Sequence, residues 1–116
     1  MTRTTQQVFD AHRAAFEPID LDKLMADYAD DAVMLTLDGA AVGKAAIRGL
    51  FEGLFETFPN VKVSFDKTAV EGDTFLLSWS GDSDVATFPH GVATFIVRDG
   101  LIQRQTEWFV AVPKEA

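Results

Sequence analysis

The apolar residues of this chain change their period once, at Pro59-Asn60. Ahead of that point they recur every three or four positions, the spacing of one face of a helix. Val8, His12, Ala15, Phe16 and Ile19 form a first stripe, ended by Pro18, and Leu21, Leu24, Met25 and Tyr28 form a second, with Asp20 placed to cap it. The reading closes this second helix at Asp30-Asp31, passes through a short buried strand at 32–37, and places a turn at Asp38-Gly39. Gly43 opens a third helix whose apolar face is Ile47, Leu50, Phe51, Leu54, Phe55 and Phe58.

Beyond Pro59-Asn60 the period is two. Val61, Val63 and Phe65 alternate with Lys62, Ser64 and Asp66, as in a strand with one buried face. Turns are expected at Glu71-Gly72-Asp73, at Pro89-His90-Gly91 and, as a tight hairpin, at Asp99-Gly100, with strands between them and a last strand from Leu101 to Val112. Helices first and antiparallel strands afterwards indicate an α+β fold, with helices packed on one face of a curved sheet.

The chain has 116 residues. That length fits a single domain, 1–116, able to bury roughly 65% of the surface its unfolded chain exposes. Without cysteine, disulfides, thiolate catalysis and Cys-ligated metals are excluded. Net charge is −8, and the ten basic residues are scattered, so nucleic acid and anionic membranes are not expected partners. No signal-peptide pattern or transmembrane stretch is visible, and a cytoplasmic location is expected. His12 and His90 have no metal-motif spacing, and neither a metal nor another cofactor is expected.

The order helix, helix, "YADDAV", "GKAAIRGLF", then strands closing on "VRDGLIQRQTEWF" resembles the nuclear-transport-factor-2-like superfamily, most of all its small SnoaL-like and ketosteroid-isomerase-like bacterial proteins. The resemblance covers nearly the whole chain. It implies a cone-shaped α+β barrel (cystatin-like) around one deep apolar pocket, commonly dimeric through the sheet. Ketosteroid isomerases pair an Asp base with two oxyanion donors. Here the Tyr donor position carries His12, the base position Thr36 and the second donor position Ala93, which argues against that mechanism. The limonene-epoxide-hydrolase pattern is also incomplete: its last-strand acid matches Glu107, but Trp79 and Gly81 stand where an Arg and an Asp would be. Asp30 and Asp31 fall at the corner entering the first strand and read as structural rather than catalytic.

Gln103, Gln105, Glu107 and Phe109 alternate onto one face of the last strand. Turned inward, as the resemblance implies, they place one acid in an apolar pocket, where burial favours its neutral form and tunes it for proton transfer. Glu107 is then the candidate catalytic group, with His12 as its donor or partner. Tyr28, Thr36, Gln103 and Gln105 would orient polar substrate atoms; Phe16, Phe55, Trp79 and Phe95 would line an apolar cavity. Turned outward, the same residues would be dimer contacts. The expected function is cofactor-independent acid–base chemistry on a small apolar molecule: isomerisation, hydration or dehydration, or cyclisation. The alternatives are a non-catalytic ligand-binding domain and a homodimeric protein-interaction module of the same fold.

Overall fold

The computed structural model describes residues 2–115. Three helices, α1 (Thr5–Ala14), α2 (Leu21–Ala26) and α3 (Lys44–Thr57), accompany six strands: β1 (Tyr28–Thr36), β2 (Gly39–Val42), β3 (Lys62–Glu71), β4 (Thr74–Asp82), β5 (Ala86–Arg98) and β6 (Leu101–Pro113). The strands form one curved, unclosed sheet in the order β2-β1-β6-β5-β4-β3. The result is the expected cone-shaped α+β fold. Among the described residues, no helix is long and apolar enough to cross a membrane.

Local chemistry sets the helix ends. Thr4 accepts from the Gln7 backbone N–H while the Gln7 side chain accepts from the Thr4 N–H, a reciprocal capping box that starts α1. Asp20 Oδ1 accepts from the Lys23 N–H, the cap expected for α2. Val8 and His12, one helical turn apart, face the core together with Phe9. On the sheet, Phe75 and Phe95 stack at 4.4 Å between ring centroids, and Phe9 of α1 lies 5.1 Å from Phe75. This aromatic contact fastens α1 to β4 and β5.

Four expectations are corrected. The second helix ends at Ala26, with Asp27 as its cap, and Asp30 and Asp31 lie exposed within β1. Residues after the Asp38-Gly39 turn form a short strand, β2, paired antiparallel to β1. Pro89-His90-Gly91 is no turn: β5 runs through it, and the ladder is irregular there on both sides, so the missing Pro N–H breaks no regular pairing. The sheet is not wholly antiparallel, because β1 runs parallel to β6. That pair joins the two ends of the chain, so its connection is the whole of α3 and the strands that follow, which a parallel pair requires.

The β5–β6 hairpin turns at Asp99 (φ 52°) and Gly100 (φ 76°), two consecutive left-handed residues, as a tight two-residue hairpin demands. Just past it β6 has a bulge. Ile96 pairs with Arg104 and Val97 with Ile102, which leaves Gln103 without an opposite residue. The extra residue shifts the in–out phase by one. Before the bulge the even-numbered Ile102 is buried; after it the odd-numbered Gln105 is.

Candidate functional site

Beyond the bulge, Gln105, Glu107 and Phe109 of β6 point toward the helices and line a cavity of about 480 Å³. Its wall is mostly apolar and rich in aromatic rings. Phe16 comes from the segment after α1, Phe51 and Phe55 from α3, Trp79 from β4, and Phe88 and Phe95 from β5. Leu37, Asp38 and Leu50 belong to the lining and are exposed, which marks the mouth between the β1–β2 turn and α3.

Glu107 is the acid of this cavity. Its Oε2 accepts from Trp79 Nε1–H at 2.9 Å and its Oε1 from Gln105 Nε2–H at 3.2 Å. Burial disfavours the carboxylate and pushes its pKa from 4.5 up to about 7; the hydrogen bonds from Trp79, Gln105 and the Trp108 backbone oppose that rise without cancelling it. At neutral pH the group is therefore poised between acid and base.

The orientation of Gln105 is itself determined. Tyr28 is wholly buried, and desolvation, with the negative charges of Glu107 and Asp27 adding to it, raises its pKa well above the ordinary phenol value of 10. The phenol keeps its proton and donates it to Gln105 Oε1 at 2.5 Å. With that oxygen occupied, the amide must turn its N–H toward Glu107.

Trp79 depends on a glycine. A Cβ at Gly91, opposite Trp79 on β5, would lie 2.1 Å from the indole Cε2 and 2.4 Å from Nε1. Only a residue without a side chain lets the indole lie flat over β5 and reach Glu107.

His12 stands elsewhere on the wall, 1% exposed, with its ring edge-on to Phe16, Tyr28 and Phe95 at 5.4–5.6 Å. Its Nδ1 meets Asp27 Oδ2 at 3.1 Å, and Asp27 Oδ1 accepts from Arg3 Nη1 at 2.9 Å. Arg3 in turn donates from Nε and Nη2 to the Gly100 carbonyl at the hairpin tip.

Of the ten residues named from sequence, His12, Phe16, Thr36, Phe55, Trp79, Phe95, Gln105 and Glu107 line the cavity. Two do not. Gln103 is the bulged residue; it turns away and donates to Asp31 Oδ1 at 2.9 Å. Tyr28 lies behind the wall and reaches the cavity only through Gln105. Thr36 is at the mouth, where its hydroxyl accepts from the Asp38 N–H and donates to the Gly39 carbonyl, so it serves the turn. Asp30 and Asp31 lie outside the cavity lining, and His90 is exposed on β5. Sequence reading missed Asp27, Arg3 and Gly91. The acid beside His12 lies three positions before the Asp-Asp pair that drew attention, and its only sequence signal is its place at the end of α2.

Two outcomes follow from this geometry. Glu107 binds its proton more tightly when folded, so its contribution to stability is full below pH 4.5 and is lost as pH rises through about 7. Glu107→Gln, which cannot ionise, should gain on the order of 3 kcal/mol relative to the parent chain between pH 4.5 and pH 8 in urea denaturation; a difference that does not change with pH would contradict the raised pKa. Gly91→Ala should displace the indole and cost about 1–3 kcal/mol. It should also move the Glu107 carboxyl midpoint in carbon NMR further upward, since a donor to the carboxylate is lost; an unchanged midpoint would show that the indole had kept its place.

The family model for the SnoaL-like domain matches residues 9–105. No curated protein matches the chain. Among solved structures the chain is similar to a proposed polyketide cyclase from Sinorhizobium meliloti, with a TM-score of 0.75 and 21% identity over 87% of this chain and 93% of that one. It is also similar to a proposed ketosteroid isomerase from Kribbella flavida, with a TM-score of 0.77 and 16% identity over 100% of this chain and 86% of that one. A third is TerC, crystallised with polyporic acid, with a TM-score of 0.76 and 16% identity over 91% of each chain. At these identities the likeness is one of fold. The family match, running from α1 into β6, decides the affiliation: the chain belongs to the SnoaL-like domain family.

Proposed function

We propose that this protein takes a small, mostly apolar molecule into the cavity and moves a proton on it without a cofactor, with Glu107 as the group that gives and takes the proton. The reaction class is isomerisation, hydration or dehydration, or cyclisation. One observation carries the reading: Glu107, its pKa near 7, sets a carboxyl group inside an apolar cavity, away from the exposed Asp38 at the mouth, and two side-chain donors fix its direction. A proton-transfer group is most effective when its pKa is close to the working pH. An aromatic wall favours a flat apolar ligand. The cavity of about 480 Å³ is within the range of drug-sized ligand sites. The ligand in TerC and the cyclase and isomerase descriptions of other neighbours point to the same broad class.

Glu107→Gln decides the matter. On a panel of aromatic enols, hydroxyketones and related apolar oxygen compounds, the parent chain should turn over at least one member. The variant should fold, bind that compound and lose about a hundredfold or more in kcat, the usual range for a general acid–base group. Binding with no turnover by the parent chain would make this a binding domain, a reading favoured by the incomplete isomerase and hydrolase residue sets.

The same reading includes a homodimer through the sheet. Leu35, Leu76 and Val92, between 42% and 46% exposed, lie outside the cavity lining, and Trp108, 44% exposed at the edge of that lining, meets Leu35 and Val92 on the surface of the sheet. Apolar side chains grouped in this way are more than scattered surface residues. Sedimentation velocity should give twice the chain mass at micromolar concentration; a monomer there would refute the dimer.

A further inference from the structure

We infer that His12, held by Asp27 and Arg3, is a second proton-handling group of the cavity, with its Nε2 lone pair as the acceptor that meets an acidic O–H or C–H of the ligand. The inference rests on the cavity of Glu107 being the reacting site, and it assigns the base that such a site would still lack.

The direction of each hydrogen bond follows from its neighbour. Asp27 is 2% exposed, and its Oδ1 is occupied by the Arg3 guanidinium. A carboxylate so engaged is an acceptor, so the His12 nitrogen facing Oδ2 must carry the hydrogen. In the neutral ring this leaves Nε2 with a lone pair. Among the described residues no buried side-chain nitrogen or oxygen lacks a partner. Nε2 takes none from the protein, so it opens onto the cavity that His12 lines.

His12, expected from sequence as donor or partner to Glu107, takes the acceptor role in this arrangement. It also separates two functions in one apolar chamber: Glu107, with its carboxyl proton, is the acid, and His12 is the base. Paired titratable groups whose surroundings differ in this way divide acid and base work between them. In the step, the ligand proton passes to Nε2 while the electron pair of its bond remains on the ligand. The Glu107 carboxyl proton passes to the ligand atom where negative charge accumulates. The ligand has exchanged one proton for another, and the protein holds an imidazolium beside Asp27 and a carboxylate at Glu107. Solvent entering at the mouth returns the proton from the first to the second. No oxidant or other co-reactant is required. Asp27 and Arg3 are positioning residues: they hold the tautomer and stabilise the imidazolium.

Tautomer-resolved nitrogen NMR on the full chain tests this, with β-naphthol as the probe and its methyl ether, which has no O–H, as the control. The chain has two histidines, and exposed His90 serves as an internal reference. His12 should show the Nδ1–H tautomer. β-Naphthol should shift its Nε2 resonance upfield, as accepting a hydrogen bond does, while the methyl ether leaves it in place. Asp27→Asn should populate the other tautomer and reduce the β-naphthol shift severalfold. An Nε2–H tautomer in the parent chain, no binding of β-naphthol at millimolar concentration, or binding without an Nε2 shift would each overturn the assignment. The readings on the parent chain remain decisive if Asp27→Asn does not fold. Glu107→Gln should leave the His12 tautomer unchanged, so failure of the acid and failure of the base are read separately.

Discussion

The bulge at Gln103 decides which side chains of the last strand meet the helices. Before it, Ile102 packs into the core; after it, Gln105, Glu107 and Phe109 turn inward. A strand that kept its phase through this point would present Arg104, Thr106 and Trp108 to the aromatic wall and leave the acid on the open face. The desolvation of Glu107, the reach of Trp79 and the role of Tyr28 all presuppose that one displaced residue.

A buried carboxyl group is expensive unless its surroundings accommodate it. Here two donors do so, each supported in turn. Trp79 reaches Glu107 because Gly91 leaves room for the indole, and Gln105 presents its N–H because Tyr28 occupies its oxygen. This support is partial. The hydrogen bonds from Trp79, Gln105 and the Trp108 backbone do not restore what water would supply to a full negative charge, and the raised pKa reflects the deficit.

How much of this could be read in the sequence depended on how local the cause was. The helix stripes, the Asp20 cap and the Asp99-Gly100 hairpin are set by residues within a turn or two of each other, and they were legible. Glu107 was also placed among inward-facing residues by alternation and family likeness. Gln103 was misplaced by the same alternation, because a bulge depends on the register of the partner strand. Asp27 was invisible for a related reason: nothing in fifteen residues of separation says that the C-cap of α2 will stand beside a histidine of α1. Pro89-His90-Gly91 has the composition of a turn, yet the long β4–β5–β6 ladder absorbs it as an irregularity. Tertiary pairing outweighed a local signal there.

The parallel pairing of β1 with β6 has a consequence for how the chain is made. β1 has β2 on one side from early in synthesis, but its other edge waits for residues near the C-terminus. Until β6 is made, the nascent chain carries an open edge on β1, a condition that favours self-association. A contact so distant in sequence is also slow to close. The chamber is therefore completed late, because the wall that carries its acid is the one made after all the others.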